Sequence, residues 1–279
     1  MITDGMKVTY SAGVPMAILA DTEVLKNAPM EMIKAGYGDI IGKYSALNDW
    51  KLGTAVNGEY FCSYIYDLTY GMLKSVLPLA DKLLLRDAES VRLLMEALVL
   101  VGVAMSFAGN SRPASGSEHH LSHFFEITGI ISGNEYFPHG IDVLYSTAIT
   151  SKIREKLCGI QFPTCGYKTE EGVYRAEMER VYTVVADGCM KLQEKLGTYE
   201  NNRISVYNER ENEIKAILSE VPTYEEIVKI INSIGLDINE FYELYGEDKI
   251  SDAVTYAKDL KDRYTVLWMY YDMLGTERI

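Results

Sequence analysis

The 279-residue sequence has few cysteines, and they are scattered: Cys62, Cys158, Cys165 and Cys189. Four such residues cannot build a disulfide framework for a chain of this size, so we expect reduced thiols. No signal-peptide pattern stands at the N-terminus. No apolar run reaches the ~18 to 20 residues that a membrane span needs, and the longest, residues 97–108, predicts a buried helix. We therefore expect a cytoplasmic protein with no membrane partner.

Positive charge is also scarce, since 27 lysine and arginine residues face 40 aspartate and glutamate residues, a net charge of −13. This balance gives no electrostatic footprint for nucleic acid or for an anionic membrane. A small phosphorylated substrate stays compatible with it, provided that a few placed cations or backbone amides bind the phosphate.

β-Strand patterns are almost missing. Residues 7–10 and 16–20 are short apolar runs joined by turn residues at 11–15, and they predict a strand pair. A lone strand pair before a long helical region is typical of the tail of a preceding sheet. We therefore predict a mainly α protein, with residues 1–22 as a strand remnant of an N-terminal α/β domain and residues 23–279 as an all-helical domain.

Apolar residues at helical spacing predict eight or more helices after Asp21. Gly36 and Gly38 are expected to break the first long one, and Asp39 to open the next. Thr223 and Glu226 form a capping-box pattern for a helix over 227–234. The other predicted helices cover 29–35, 39–50, 60–85, 90–107, 141–157, 174–196, 204–218, 250–260 and 264–274.

Histidine is also scarce, but its four residues are clustered: all lie between His119 and His139. His119 and His123 are four residues apart and share a helix face, whereas His120 points elsewhere. Imidazole is the commonest zinc ligand, and catalytic zinc sites use three protein ligands and one open position. Two of these histidines and a distant carboxylate predict such a site. The alternative is a chance cluster on a solvated helix.

Asp39 is a candidate for the carboxylate, because the two glycines before it permit close backbone approach. The alternative is that Asp39 only caps a helix.

Three segments carry a family resemblance. Residues 35–43, Ala-Gly-Tyr-Gly-Asp-Ile-Ile-Gly-Lys, with Asp49-Trp50, resemble the metal-aspartate segment of sn-glycerol-1-phosphate dehydrogenases. Residues 112–123, Arg-Pro-Ala-Ser-Gly-Ser-Glu-His-His-Leu-Ser-His, are similar to the most distinctive stretch of that family. Residues 257–267 resemble its closing helix. The family is part of the iron-containing alcohol dehydrogenase and dehydroquinate synthase-like superfamily, and the resemblance covers essentially the whole chain.

The resemblance implies the multi-helix metal-binding domain of the dehydroquinate synthase-like fold. It implies Asp39, His119 and His139 as ligands of a divalent ion, usually Zn²⁺, and substrate contacts from Asp39 and His123. The implied reaction is the reversible reduction of dihydroxyacetone phosphate to sn-glycerol 1-phosphate with NADH or NADPH, a step of phospholipid metabolism. His123 is also placed to relay a proton, as the catalytic residue.

Several neighbours of the cluster have two open interpretations. Glu118 and Asp142 either accept hydrogen bonds from ligand N–H groups or are solvated carboxylates. Lys43 and Arg112 either reach the site, where Arg112 would suit a phosphate, or belong to structural ion pairs. His120 is expected to be structural or to support a ligand.

The sequence also has no G-x-G-x-x-G turn for a dinucleotide pyrophosphate. In the resembled family that turn lies in an N-terminal α/β domain, which we expect before Met1, so no cofactor-binding residue is predicted here. The alternatives are a glycerol dehydrogenase-like enzyme, a dehydroquinate synthase-like enzyme, and a non-catalytic metal-binding relic. The donor set does not separate Zn²⁺ from Ni²⁺ or Fe²⁺, and a homo-oligomer is an open expectation.

Overall fold

The computed structural model describes residues 2–3, 6–7, 13 and 15–279. Strands β1 and β2 are Ile2–Thr3 and Met6–Lys7. The helices are α1 Thr22–Leu25, α2 Met30–Ile41, α3 Lys43–Asn57, α4 Ser63–Val76, α5 Ala80–Leu84, α6 Ala88–Ala108, α7 Ser117–Ser132, α8 His139–Gly159, α9 Glu171–Tyr182, α10 Ala186–Leu196, α11 Ile204–Glu209, α12 Glu211–Leu218, α13 Tyr224–Ser233, α14 Ile238–Tyr256 and α15 Val266–Leu274. Short 3₁₀ turns cover Leu77–Leu79, Thr183–Val185, Thr198–Glu200 and Ala257–Leu260. The prediction of a mainly α protein is confirmed.

The predicted strand pair is wrong. Residues 16–20 form no strand and lie exposed, with Met16 and Leu19 almost fully accessible. Residues 8–10 of the other predicted strand lie outside the described residues. The strands observed among the described residues are two dipeptides that pair only with each other, Ile2 opposite Lys7 and Thr3 opposite Met6. An apolar run of five residues fits a strand, a helix segment or an exposed loop equally well, so pattern alone misassigned it.

The two glycines near Asp39 do not break a helix, contrary to the prediction. Helix α2 runs through both and ends at Ile41, and Gly42 separates it from α3. Gly38 is needed for packing, because a Cβ atom there would clash with the carbonyl oxygen of Gly140 on α8. A Cβ atom at Gly140 would in turn clash with the backbone of Ala35. Asp39 therefore lies inside a helix and is not its cap.

Helix α8 lies at the centre of the fold and is buried without interruption over residues 140–151. Helices α2, α7, α12, α13 and α15 all pack against it. Its serine and threonine side chains are buried as well, and Thr147 and Thr150 satisfy their hydroxyl groups on carbonyl groups three or four residues earlier in α8. A central helix of this kind positions the residue at its N-terminus, His139, against several neighbours at once.

The predicted long helices are divided where the backbone cannot continue. The 60–85 segment breaks at the 3₁₀ turn that contains Pro78, which has no N–H to donate. The 174–196 segment breaks at Thr183, whose φ of 44° lies in the left-handed region. The predicted capping box is confirmed, since Thr223 and Glu226 exchange side-chain and backbone hydrogen bonds at the start of α13.

Helix α6 is less buried than the apolar run 97–108 predicts. In its most apolar 18-residue window only 28% of the residues are buried. By length and composition it is the one helix in the described part of the chain that is able to cross a membrane. Core helices of soluble proteins pass the same test, so the membrane prediction is not decided by this helix.

Candidate metal and substrate site

The helix that carries three of the histidines is anchored by a buried aspartate. Asp49 on α3 accepts a hydrogen bond from the backbone N–H of Ser117, the first residue of α7, at 2.6 Å. Its other oxygen accepts from the N–H of Val266 at 2.9 Å and from Arg154 on α8 at 2.8 Å. Because these donors come from α7, α8 and α15, one carboxylate fixes the start of α7 relative to the core.

Asp39 and His139 meet because α2 and α8 cross at two glycines. Gly38 and Gly140 contact each other through their backbones, and each is adjacent in sequence to one of the two predicted ligands. His139 is the first residue of α8, after the N-cap Pro138. The close approach of the two backbones therefore places the Asp39 carboxylate beside the His139 imidazole.

His119 completes the group from α7. One ligand atom from each of Asp39, His119 and His139 lies within 4.8 Å of the others. His119 Nε2 is 3.3 Å from Asp39 Oδ1. Two donors on a tetrahedral zinc ion, with bonds of ~2.0 to 2.1 Å, are about 3.4 Å apart. The carboxylate and imidazole donors and their spacing fit a divalent ion with at least one open position.

Glu118 orients the ring of His119. Its Oε1 accepts a hydrogen bond from His119 Nδ1 at 2.6 Å and another from the N–H of Gly116. This leaves Nε2 facing Asp39 with a lone pair, which is the usual arrangement of carboxylate, histidine and metal. Burial acts to raise the pKa of Glu118, but His119, the N–H of Gly116 and Lys43 together outweigh it and the pKa is lowered. Glu118 is fully buried and not a solvated carboxylate.

Lys43, one helical turn beyond Asp39, holds that carboxylate in its ionised form. Its Nζ donates to Asp39 Oδ1 at 3.1 Å and to the carbonyl oxygen of Ala114 at 2.9 Å. Burial acts to raise the pKa of Asp39, but Lys43 and His119 together hold it well below its usual range. Lys43 therefore reaches the site, one of the two interpretations that the sequence left open.

His123 lies on the same face as His119, with ring centroids 5.9 Å apart, and its ring stacks on that of His139 at 5.1 Å. Glu126, which sequence reasoning overlooked, approaches His123 Nδ1 to 3.6 Å from one turn further along α7. The i, i+3 spacing was a usable signal for it. The structure thus brings all four predicted site residues together.

His120 lies on the other face of α7 and is fully buried. Neither ring nitrogen has a hydrogen-bond partner within the described part of the chain. Burial, together with the positive charges of Lys261 and Arg263, lowers its pKa well below the usual value. The ring is therefore neutral and does not reach the metal group.

Arg112 forms a structural ion pair with Glu59, and one of its N–H groups, at Nη1, has no acceptor among the described residues. It donates from Nε and Nη2 to Glu59, while its Nη1 and the hydroxyl of Ser115 have no partner among the described residues. Arg263, also missed by the sequence analysis, donates to the carbonyl of Ser115 and to Ser111. Burial and the nearby charge of Arg112 lower the pKa of Arg263. The loop before α7 therefore carries one guanidinium group, that of Arg112, and a second, that of Arg263, donates to it.

Asp142 supports the loop that ends at His139. Tyr245 of α14 donates to both carboxylate oxygens of Asp142 at 2.9 Å, and its hydroxyl accepts from the N–H of Phe137 at 3.1 Å. Asp142 is fully buried, so it too is not solvated. No sequence signal links Tyr245 to a turn that precedes it by more than 100 residues.

The chain is similar to proteins named glycerol-1-phosphate dehydrogenase [NAD(P)+]. It is 29% identical to the one from Halalkalibacterium halodurans over 276 residues, which cover 99% of this chain and 61% of that protein. Those from Thermococcus sibiricus and Pyrococcus furiosus are 38% and 37% identical over 170 and 175 residues, or 60% and 59% of this chain and 49% of each relative. No family model matches the chain.

The chain thus spans 61% of the length of the relative that it matches almost from end to end. The matched segment lies in the C-terminal part of that relative. The resemblance that the three sequence segments predict is confirmed, and the chain is a homologue of the glycerol-1-phosphate dehydrogenases.

Proposed function

We propose that this chain supplies the metal- and substrate-binding helices of an NAD(P)-linked oxidoreductase that interconverts dihydroxyacetone phosphate and sn-glycerol 1-phosphate. The observation that supports it most is the meeting of Asp39, His119 and His139 from three different helices. Homology to proteins named for this activity supports the reaction.

Asp39, His119 and His139 are the proposed ligands of a divalent ion, with Zn²⁺ favoured and Ni²⁺ or Fe²⁺ compatible with the same donors. Such an ion, when bound, polarises a ketone and stabilises an alkoxide. Glu118 keeps the His119 lone pair directed at the ion. Lys43 keeps Asp39 charged, so the carboxylate is available both to the ion and to a substrate hydroxyl.

His123 is the proposed catalytic residue. It is buried, and its ring lies 5.1 Å from that of His139 and 5.9 Å from that of His119. An imidazole beside the reacting oxygen can bind the substrate hydroxyl and pass its proton towards solvent. Glu126 next to His123 offers an acceptor for the second ring nitrogen.

The loop before α7 is the proposed position of the substrate phosphate. Arg112 Nη1, the Ser115 hydroxyl and the Arg263 guanidinium offer donors there, and a guanidinium group binds a phosphate with two parallel hydrogen bonds. This feature favours a phosphorylated substrate over glycerol itself. A glycerol dehydrogenase-like or dehydroquinate synthase-like enzyme and a non-catalytic relic are the alternatives. The cytoplasmic location and a homo-oligomeric state stay predictions.

The metal ligands are tested first, by mass spectrometry and by zinc titration against a competing chelator. We expect about one tightly bound zinc ion per chain. Asp39→Asn, His119→Ala and His139→Ala should each weaken its binding by at least about 100-fold, more than the loss of a supporting residue. A chain that binds no zinc, or that binds it independently of these residues, would overturn the metal assignment.

The substrate is tested by calorimetry on the zinc-loaded chain. We expect sn-glycerol 1-phosphate to bind at least about tenfold more tightly than glycerol, because the phosphate adds charge-assisted hydrogen bonds. Arg263→Ala should remove this advantage, and sn-glycerol 3-phosphate is the control for stereochemical selection. Equal binding of glycerol and its phosphate would favour the glycerol dehydrogenase-like alternative.

A further inference from the structure

The site contains a second group of ligand atoms beside the first. One donor atom from each of His123, Glu126 and His139 lies within 4.8 Å of the others. The two groups share His139, so they are adjacent. Asp39 and His119 complete one of them, and His123 and Glu126 complete the other.

The spacing within the second group suits a metal ion. His123 Nδ1 and Glu126 Oε2 are 3.6 Å apart, which is long for a hydrogen bond. It is close to the separation of about 3.4 Å between two donors on a tetrahedral zinc ion. The corresponding distance between His119 and Asp39 in the first group is 3.3 Å. Both groups therefore have the geometry of ligands around a cation.

The shared imidazole decides how the two groups relate. Ser122 Oγ lies 3.1 Å from His139 Nδ1 and donates to the His139 carbonyl oxygen. Whichever ring nitrogen carries the proton, a neutral imidazole has a single lone pair. One lone pair binds one ion at a time, so the two groups are alternative positions and not a two-metal centre.

We propose that a divalent ion has two alternative positions in this protein, one at Asp39, His119 and His139 and a second at His123, Glu126 and His139. The first position rests on the proposed function; the second does not require it. An ion in the second position occupies His123, the residue proposed to contact substrate. A chain with its ion there binds metal but lacks the His123 imidazole for the reaction, so the second position is an inactive, metal-loaded state.

The test compares zinc affinities of variants that each remove one position, by titration against a competing chelator. Asp39→Asn removes the first position, and we expect about one zinc ion to bind still, more weakly than in the parent chain. Adding Glu126→Gln to Asp39→Asn should weaken that residual binding by a further factor of about ten or more. His123→Ala in the same background should have a similar effect.

Glu135→Gln in the Asp39→Asn background is the matched control. Glu135 is an exposed carboxylate in the segment between α7 and α8 and belongs to neither ligand group. We expect it to leave the residual affinity unchanged. Glu126→Gln is nearly isosteric, so folding is checked by thermal unfolding of each variant. Residual zinc binding that is indifferent to Glu126 and His123, or its complete loss in Asp39→Asn alone, would overturn the second position. Failure of the proposed function looks different, since Asp39→Asn and His119→Ala would then leave the zinc affinity of the parent chain unchanged.

Discussion

Asp39 and Asp49 lie ten residues apart on consecutive helices, and their surroundings differ in one respect. Asp49 is fully buried, and protein donors from three helices fill its oxygens at 2.6 to 2.9 Å. Asp39 keeps 28% of its side chain accessible, and its neighbours, Lys43 and His119, lie at 3.1 and 3.3 Å. The Asp49 carboxylate is saturated by the fold, whereas Asp39 still has acceptor capacity for a ligand.

This difference separates a carboxylate that stabilises the fold from one that is available to a ligand. A buried ion pair is costly to break, because the remaining partner is left as an uncompensated charge. The Asp39–Lys43 pair is different, because solvent reaches Asp39 and screens its charge, while the buried Lys43 has the carbonyl oxygen of Ala114 as a second acceptor. Asp49 therefore belongs to the framework and Asp39 to the site.

The largest effect is expected for Asp49→Asn. It leaves the buried Arg154 guanidinium without its charged partner, and we expect a loss of about 3 to 5 kcal/mol in the free energy of unfolding. Urea unfolding of the metal-free chain measures it. Asp39→Asn, the comparison variant, should cost less than Asp49→Asn, because Asp39 keeps 28% of its side chain accessible and the buried Lys43 keeps the carbonyl oxygen of Ala114 as an acceptor. Equal losses in the two variants would show that Asp49 does not stabilise the fold more than Asp39 does.

Tyr245→Phe tests whether a buried residue outside the ligand group influences metal binding at His139. Without the hydroxyl, Asp142 loses its donor and the Phe137 N–H its acceptor, so the turn before His139 is less well fixed. We expect zinc affinity to fall by about 10- to 100-fold, as for other residues that orient a metal ligand. A competition titration with a chelator measures this.

Tyr182→Phe is its control, since Tyr182 is also fully buried and donates to a backbone carbonyl, that of Tyr256. It should reduce stability and leave zinc affinity unchanged. If both variants lose the same zinc affinity, Tyr245 has no specific influence on His139.

The smallest effect is expected at the surface. Lys51 and Glu220 form an ion pair at 2.7 Å, with 27% and 43% of their side chains exposed. Glu220→Gln should lower the free energy of unfolding by no more than about 1 kcal/mol, and the difference should shrink as salt is added. Urea unfolding at low and high ionic strength checks this. A loss as large as that of Asp49→Asn would mean that burial does not govern these pairs.

Much of the candidate site followed from the sequence, because its signals are local. The clustering of histidines and the i, i+4 spacing of His119 and His123 are readable within a few residues. The glycines before Asp39 indicate close backbone approach, but the helix break that they also predict is not observed. Their partner, Gly140, lies on another helix, and only the crossing of α2 and α8 explains why both must lack a Cβ atom.

The residues that support the site were harder to find. Arg154, Arg263 and Tyr245 act through contacts with residues more than 100 positions away in sequence. One sequence does not encode such pairings in any local pattern. The strand prediction at 16–20 was wrong although a local apolar pattern is present. A strand is stable only when it pairs with another strand, and residues 16–20 have no such partner among the described residues.

The helical class of this protein, its lack of a disulfide framework and the residue types that are able to bind a metal ion can all be read from the sequence alone. These depend on composition and on periodicity within single helices. The tertiary structure decided which carboxylate is open and which is saturated, and that His139 is shared between two ligand groups. Those properties depend on which helices contact each other. A contact between helices that are far apart in sequence produces no recognisable pattern in the sequence of either helix alone.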